Sequence, residues 1–188
     1  IQYSCQKNFV LGIGDVNSHA DKNVPGPTSS ATEPAKPAAV VADTTVDAVA
    51  ATNKLGALHG LGASAGTTLN WGGCCNNNSA LMAGIAYDAN TRDIRPDNLA
   101  VPKTKNKQTV QTYWLDILEY QNYKANNQFY LAAKYGGFQA PDNFDPYTRA
   151  TDIPLEWWST TGEMVGGQNR PDTYFTAARP DQMVAGLT

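Results

Sequence analysis

Residues 9–13 (Phe-Val-Leu-Gly-Ile) are apolar apart from one glycine, and the run stops at Asp15. An apolar run of that length without polar alternation predicts a strand covered on both faces, as inside a parallel sheet. Such a strand belongs in the middle of a sheet, yet only a few residues precede it. The chain therefore reads as the second half of a domain. Further on, apolar positions recur at helical spacing over 46–61, with Asp43 or Thr45 as the cap and Gly60 and Gly62 as the stop. Ser79 caps a helix reaching about Asn90. Threonine, valine and aromatics over 108–120 predict a second strand. Residues 126–135 follow as a helix, ended by Gly136-Gly137 in a left-handed cap. Residues 174–178 form a last short strand, and 180–187 a last helix with proline in its first turn. Alternation of this kind predicts an α/β fold with a parallel sheet and helices on its faces.

Between these elements the composition changes. Residues 24–42 hold four prolines, Pro25, Pro27, Pro34 and Pro37, which block regular hydrogen bonding. Glycine, asparagine, serine and cysteine dominate 62–78, and 91–107 is a polar loop with lysines. The stretch 139–170, with Pro141, Pro146, Pro154 and Trp157-Trp158, has little periodicity and predicts a long ordered excursion. The expectation is one domain over 1–188 with insertions near 24–78 and 139–170. A chain of 188 residues that is 41% hydrophobic can bury a real core. Its net charge of −3 lacks the basic footprint of nucleic-acid binding. No apolar run reaches the roughly 18 residues of a membrane span. The three cysteines, Cys5, Cys74 and Cys75, admit buried thiols, a bridge from Cys5 to the adjacent pair, or a vicinal Cys74–Cys75 bond. Crossover geometry favours the vicinal bond, with Cys5 free or paired outside the segment.

Chemistry-bearing residues cluster after the first strand. Asp15, Asn17, His19, Asp21 and Asn23 alternate as in the opening of a calcium loop. The loop has no glycine at a sharp turn and no closing glutamate, so a polar turn is the plain alternative. Asp15, Asn17 and Asp21 are the candidate ligands of a divalent cation, magnesium or calcium, whose shell needs oxygens from the missing half. Catalysis has little support. The two histidines, His19 and His59, lie in no nucleophile motif. The glycine-rich run 60–66 lacks the lysine of a phosphate loop. Asp142 and Asp145 are a carboxylate pair of the type glycosidases use, and Trp157-Trp158 offers an exposed contact surface. The expectation is a non-enzyme, with a secreted carbohydrate-binding protein or glycoside hydrolase as the alternative.

A family resemblance runs along the chain. Cys5-Gln6-Lys7-Asn8-Phe9 leading to Gly14-Asp15 resembles the central strand of the von Willebrand factor A region in the PilC/PilY family of type IV pilus biogenesis and tip-adhesin proteins. The run from Ala80 to Tyr87, with Thr91 to Asp97, resembles the family's helix and exit. Gln108 to Tyr113 resembles the start of the next strand, and Leu131 to Phe138 the following helix. Pro171 to Phe175, with Pro180-Asp181-Gln182-Met183, resembles the last strand and helix. The resemblance implies a partial doubly wound parallel sheet, the C-terminal half of a von Willebrand A-like domain. It implies an extracellular module, exported through the periplasm, that serves pilus assembly or tip adhesion. Implied partners are minor pilins, the missing half of its own protein, and a host or abiotic surface. In such domains an aspartate after this strand helps hold a divalent cation, and Asp15 matches it. The accompanying Asp-x-Ser-x-Ser motif is absent from this sequence.

Overall fold

Along the chain run β1 (Phe9–Gly14), α1 (Ala38–Ala42), α2 (Ala48–His59), α3 (Ala65–Thr68), α4 (Leu81–Thr91), β2 (Gln111–Ile117) and α5 (Gln128–Gly137). A 3-10 turn (Leu155–Trp157), a hairpin of β3 (Met164–Val165) and β4 (Gln168–Asn169), and β5 (Tyr174–Ala177) complete the order. The computed structural model describes residues 3–71, 77–95, 106–118, 121–177 and Val184. Cys74, Cys75 and all of the expected last helix except Val184 lie outside the described residues; Val184 is helical. Cys5 is an exposed free thiol. No described helix is long and apolar enough to cross a membrane.

The sheet is parallel, in the order β1-β2-β5. The strands expected at the three apolar runs are thus neighbours in one α/β sheet. β1 pairs with β2 in the register Phe9 to Gln111 through Gly14 to Asp116. The Gln111 amide donates to the Asn8 carbonyl at 3.0 Å, which sets the alternation of a parallel ladder. Val10 and Gly12 turn their backbone groups towards β2. Phe9, Leu11 and Ile13 turn theirs to the other edge, where no described strand pairs with them.

Helices α4 and α5 cover one face of the sheet, and α2 packs behind α4. Trp114 of β2 stacks on Phe129 of α5 with ring centroids 4.1 Å apart. Gly12 lies under that indole; a Cβ there would stand 2.0 Å from the ring. Leu55, Tyr87, Leu131, Tyr135 and Phe138 fill the core between the helices. The long excursion is fastened to this core, as Tyr87 donates to the Pro146 carbonyl at 2.9 Å and the Gln139 amide to the Trp157 carbonyl at 2.9 Å.

Several local expectations change. α2 is capped by Asp47, whose carboxylate accepts from the Ala50 amide at 2.9 Å, and not by Asp43 or Thr45. Its stop at Gly60 is left-handed, with φ of 78°. Ser79 stands one residue before the Ala80 cap of α4, and its hydroxyl accepts from the Leu81 amide at 3.3 Å. Gly136 and Gly137 do not stop α5; they form its last residues. Both are buried, and a Cβ would stand 2.9 Å from Thr112 at Gly136 and 2.1 Å from Thr173 at Gly137. Glycine there lets the helix end rest on the sheet. Trp158 is buried, and Trp157 stacks on Phe138 at 6.2 Å, so the tryptophan pair anchors the excursion and is not an exposed platform. The largest difference concerns β1. Phe9, Val10, Leu11 and Ile13 are 55%, 50%, 52% and 48% exposed. No described element packs over either side of this strand as it does over β2.

Candidate functional site

The carboxyl edge of the sheet collects the polar residues. β1 leaves it through Gly14, and the chain turns at Asp15, whose Oδ1 accepts from the Asn17 amide at 2.7 Å. Val16 plugs into the core, and its carbonyl accepts from Gln128 Nε2 of α5 at 2.9 Å and Asn78 Nδ2 at 3.4 Å. The loop is therefore tied to α5 and to the segment just ahead of α4. Further along, Asp21 Oδ2 accepts from the Ser79 amide at 2.7 Å, just ahead of α4. Burial raises the Asp21 carboxyl above its usual range, the Ser79 hydrogen bonds oppose this, and Glu33 adds to the rise. Asn77 donates to the His19 carbonyl at 3.0 Å, so the His19 backbone belongs to the same lacing.

A residue that pattern reading passed over completes this edge. Asp116, the penultimate residue of β2, stands directly opposite Gly14. It is buried, and its Oδ2 accepts from the Tyr174 hydroxyl at 2.5 Å and Asn127 Nδ2 at 3.0 Å. Burial is the main cause that raises its carboxyl above the usual range, these two donors oppose the rise, and the Asp15 charge adds to it. The signal in the sequence was a lone carboxylate breaking the apolar run Trp114-Leu115-Asp116-Ile117. Three buried acceptor atoms around this edge, Asp21 Oδ1, Asp116 Oδ1 and Gln128 Oε1, have no hydrogen-bond partner among the described residues. Unpaired buried acceptors are costly, and a donor or a cation satisfies them.

The three sequence-predicted ligands do not share one arrangement. Asp15 closes on its own turn, while Asp21 is aimed at Ser79. No group of three or more histidine, cysteine or acidic side chains suited to a metal ion occurs among the described residues. Calcium takes six to eight oxygens. The residues present therefore fit a cation only as one side of its shell, with Asp15 and the open oxygen of Asp116 as their contribution.

The two carboxylates of the glycosidase alternative have different surroundings. Asp145 caps a turn, accepting from the Tyr147 amide at 2.8 Å, and those turn donors hold its carboxyl below the usual range. A glycosidase acid needs the opposite shift. Asp142 lines a separate polar cleft at the amino end of the sheet, with Asn8, Lys107 and Gln139.

Comparison with known proteins adds the following. Over 200 aligned residues, the chain is 39% identical to the type IV pilus biogenesis factor PilY1 homolog of Xylella fastidiosa (strain Temecula1). The alignment covers 100% of this chain and 16% of that protein. No family model and no solved structure matches the chain.

Proposed function

Because the chain belongs to the PilC/PilY family, we propose that it is the second half of a von Willebrand A-like domain in a type IV pilus biogenesis protein. Its work is pilus assembly and tip adhesion outside the cell, done by binding protein partners and surfaces. One observation carries this reading: the apolar strand β1 stands at a sheet edge with its large side chains about half exposed and with no strand among the described residues paired to one row of its backbone groups. Strands β1, β2 and β5 then supply one half of a doubly wound sheet, and a preceding part of the longer protein supplies the other. Minor pilins and a host or abiotic surface are the further partners. In the longer protein, replacing Val10→Asp and Leu11→Asp together is expected to remove surface pili and adhesion. Normal piliation in that double variant would overturn the reading.

In the same reading a magnesium or calcium ion sits at the carboxyl edge. Asp15 is its first ligand, with Asn17, Asp21 and Asp116 around the loop that holds it. Its remaining oxygens come from outside residues 1–188. Calorimetry on the longer protein is expected to show cation binding that Asp15→Ala abolishes. Equal binding in the variant would remove Asp15 from the shell.

A further inference from the structure

A second cluster lies away from the carboxyl edge, where α2, α5 and the 139–170 excursion meet. Lys134 of α5 is 2% exposed, an unusual place for a lysine. Its Nζ donates to Asp152 Oδ2 at 2.6 Å and to His59 Nδ1 at 3.1 Å. The ammonium also lies 4.2 Å from the Trp158 ring centroid and 5.0 Å from that of Tyr135. Asp152 Oδ1 accepts from the Tyr135 hydroxyl at 2.7 Å and the Ile153 amide at 2.8 Å. His59 Nε2 donates to Asn126 Oδ1 at 2.9 Å, which assigns the ring proton to Nε2 and leaves Nδ1 as the acceptor. His59 Nδ1 is also 4.0 Å from Asp152 Oδ2.

These positions match the demands of an acyl transfer. The nucleophile is an amine, and burial is the first cause that pulls the Lys134 ammonium towards its neutral form. The electrophile is a carboxyl whose one oxygen is held by two donors, as in an oxyanion hole. The other oxygen is the leaving group, and the base, His59 Nδ1, stands 4.0 Å from it. Asp152 is 40% exposed at its side chain, so released water has an exit. Holding the two groups in place supplies an effective concentration on the order of 10⁵ M or more. The product also replaces an ion pair whose ammonium is desolvated, which is costly, with a neutral amide.

We propose that Lys134 and Asp152 condense into an isopeptide bond that staples the excursion to α5, with His59 and Tyr135 assisting. Lys134 first passes one proton from Nζ to Asp152 Oδ2, leaving an amine and a carboxylic acid. The Nζ lone pair attacks Cγ, and Oδ1 takes the negative charge between Tyr135 and Ile153. His59 Nδ1 accepts a proton from Nζ and returns it to the Oδ2 hydroxyl, which departs as water while the Cγ–Oδ1 double bond reforms. The three Nζ protons end as one amide hydrogen and two hydrogens of water. Nothing is oxidised or reduced, and His59 ends neutral.

Intact mass of the folded, thiol-reduced protein tests this. The expected mass is one water below the sequence sum, with a branched peptide joining Lys134 to Asp152 in a digest. Lys134→Arg is expected to restore the full mass. His59→Gln is expected to slow the loss of water by roughly a hundredfold, the usual worth of a general base. A wild-type mass at the full sequence sum, or a branch between other residues, overturns the proposal. A His59→Gln rate equal to wild type removes the histidine from it.

Discussion

Burial, and after it the neighbouring Lys134 charge, holds the His59 imidazole below its ordinary range. The groups facing the ring are Lys134, Tyr135 and Tyr130 from α5, Asp152 from the excursion, and Asn126 ahead of α5. As the pH falls from about 6.5, the unfolded chain takes up this proton before the folded one does. The histidine's contribution to stability is therefore complete above that pH and declines as the pH drops towards the folded value. Burial is the largest cause of this shift, and it acts whether Lys134 is free or condensed. Urea midpoints are expected to fall between pH 7.5 and pH 5.5 in the wild type, with a smaller fall in His59→Gln. Equal falls in both would contradict the assignment. Single residues were legible in the sequence only where their meaning is local. Asp15 announces itself by following an apolar strand. Asp116 does not, because its role depends on Asn127, 11 positions away, and Tyr174, 58 positions away. Lys134 and Asp152 became partners only through the fold.

At the scale of elements, α5 shows what one cap does. Asn127 Oδ1 accepts from the Phe129 and Tyr130 amides, each at 2.9 Å, and its Nδ2 donates to Asp116. Removing it exposes two helix amides and takes a donor from a buried carboxylate. Asn127→Ala is expected to cost about 2 kcal/mol or more, read from urea unfolding followed by tryptophan fluorescence. A loss below about 0.5 kcal/mol would mean that the cap is not holding the helix. The helices and strands themselves were readable from periodicity, since α2, β2 and β5 fall within the predicted runs and α4 and α5 overlap theirs. Their ends were not. Glycine at 136 and 137 signals a helix stop as well as a close approach, and only Thr112 and Thr173 across the interface decide between them. Trp157-Trp158 sits among prolines and reads as loop, yet Phe138 and Lys134 draw the pair inward. The hairpin of β3 and β4 turns on Gly166 and Gly167, with φ of 55° and 81°. Its strands are two residues each, too short for a period to show.

At the scale of the molecule, the apolar pattern of β1 describes an environment that the described residues do not supply. The pattern predicts cover on both faces, and the fold leaves four large apolar side chains about half exposed. Edge strands are ordinarily short, charged or covered, because an open row of amides and carbonyls invites pairing. β1 has six residues, no charge and, apart from the Trp114 indole over Gly12, no cover among the described residues. Its requirements are those of an interior strand, which explains why sequence reading found it first and misjudged its exposure. Hydrogen exchange at β1 shows whether a second strand pairs with its open edge. In residues 1–188 alone, the amides of Leu11 and Ile13 are expected to exchange freely while those of Val10 and Gly12 are protected by β2. In the longer protein, the Leu11 and Ile13 amides are expected to become as slow as their neighbours, because a second strand pairs with the open edge. If they exchange as freely in the longer protein as in the isolated chain, β1 docks no strand and the account of this module fails.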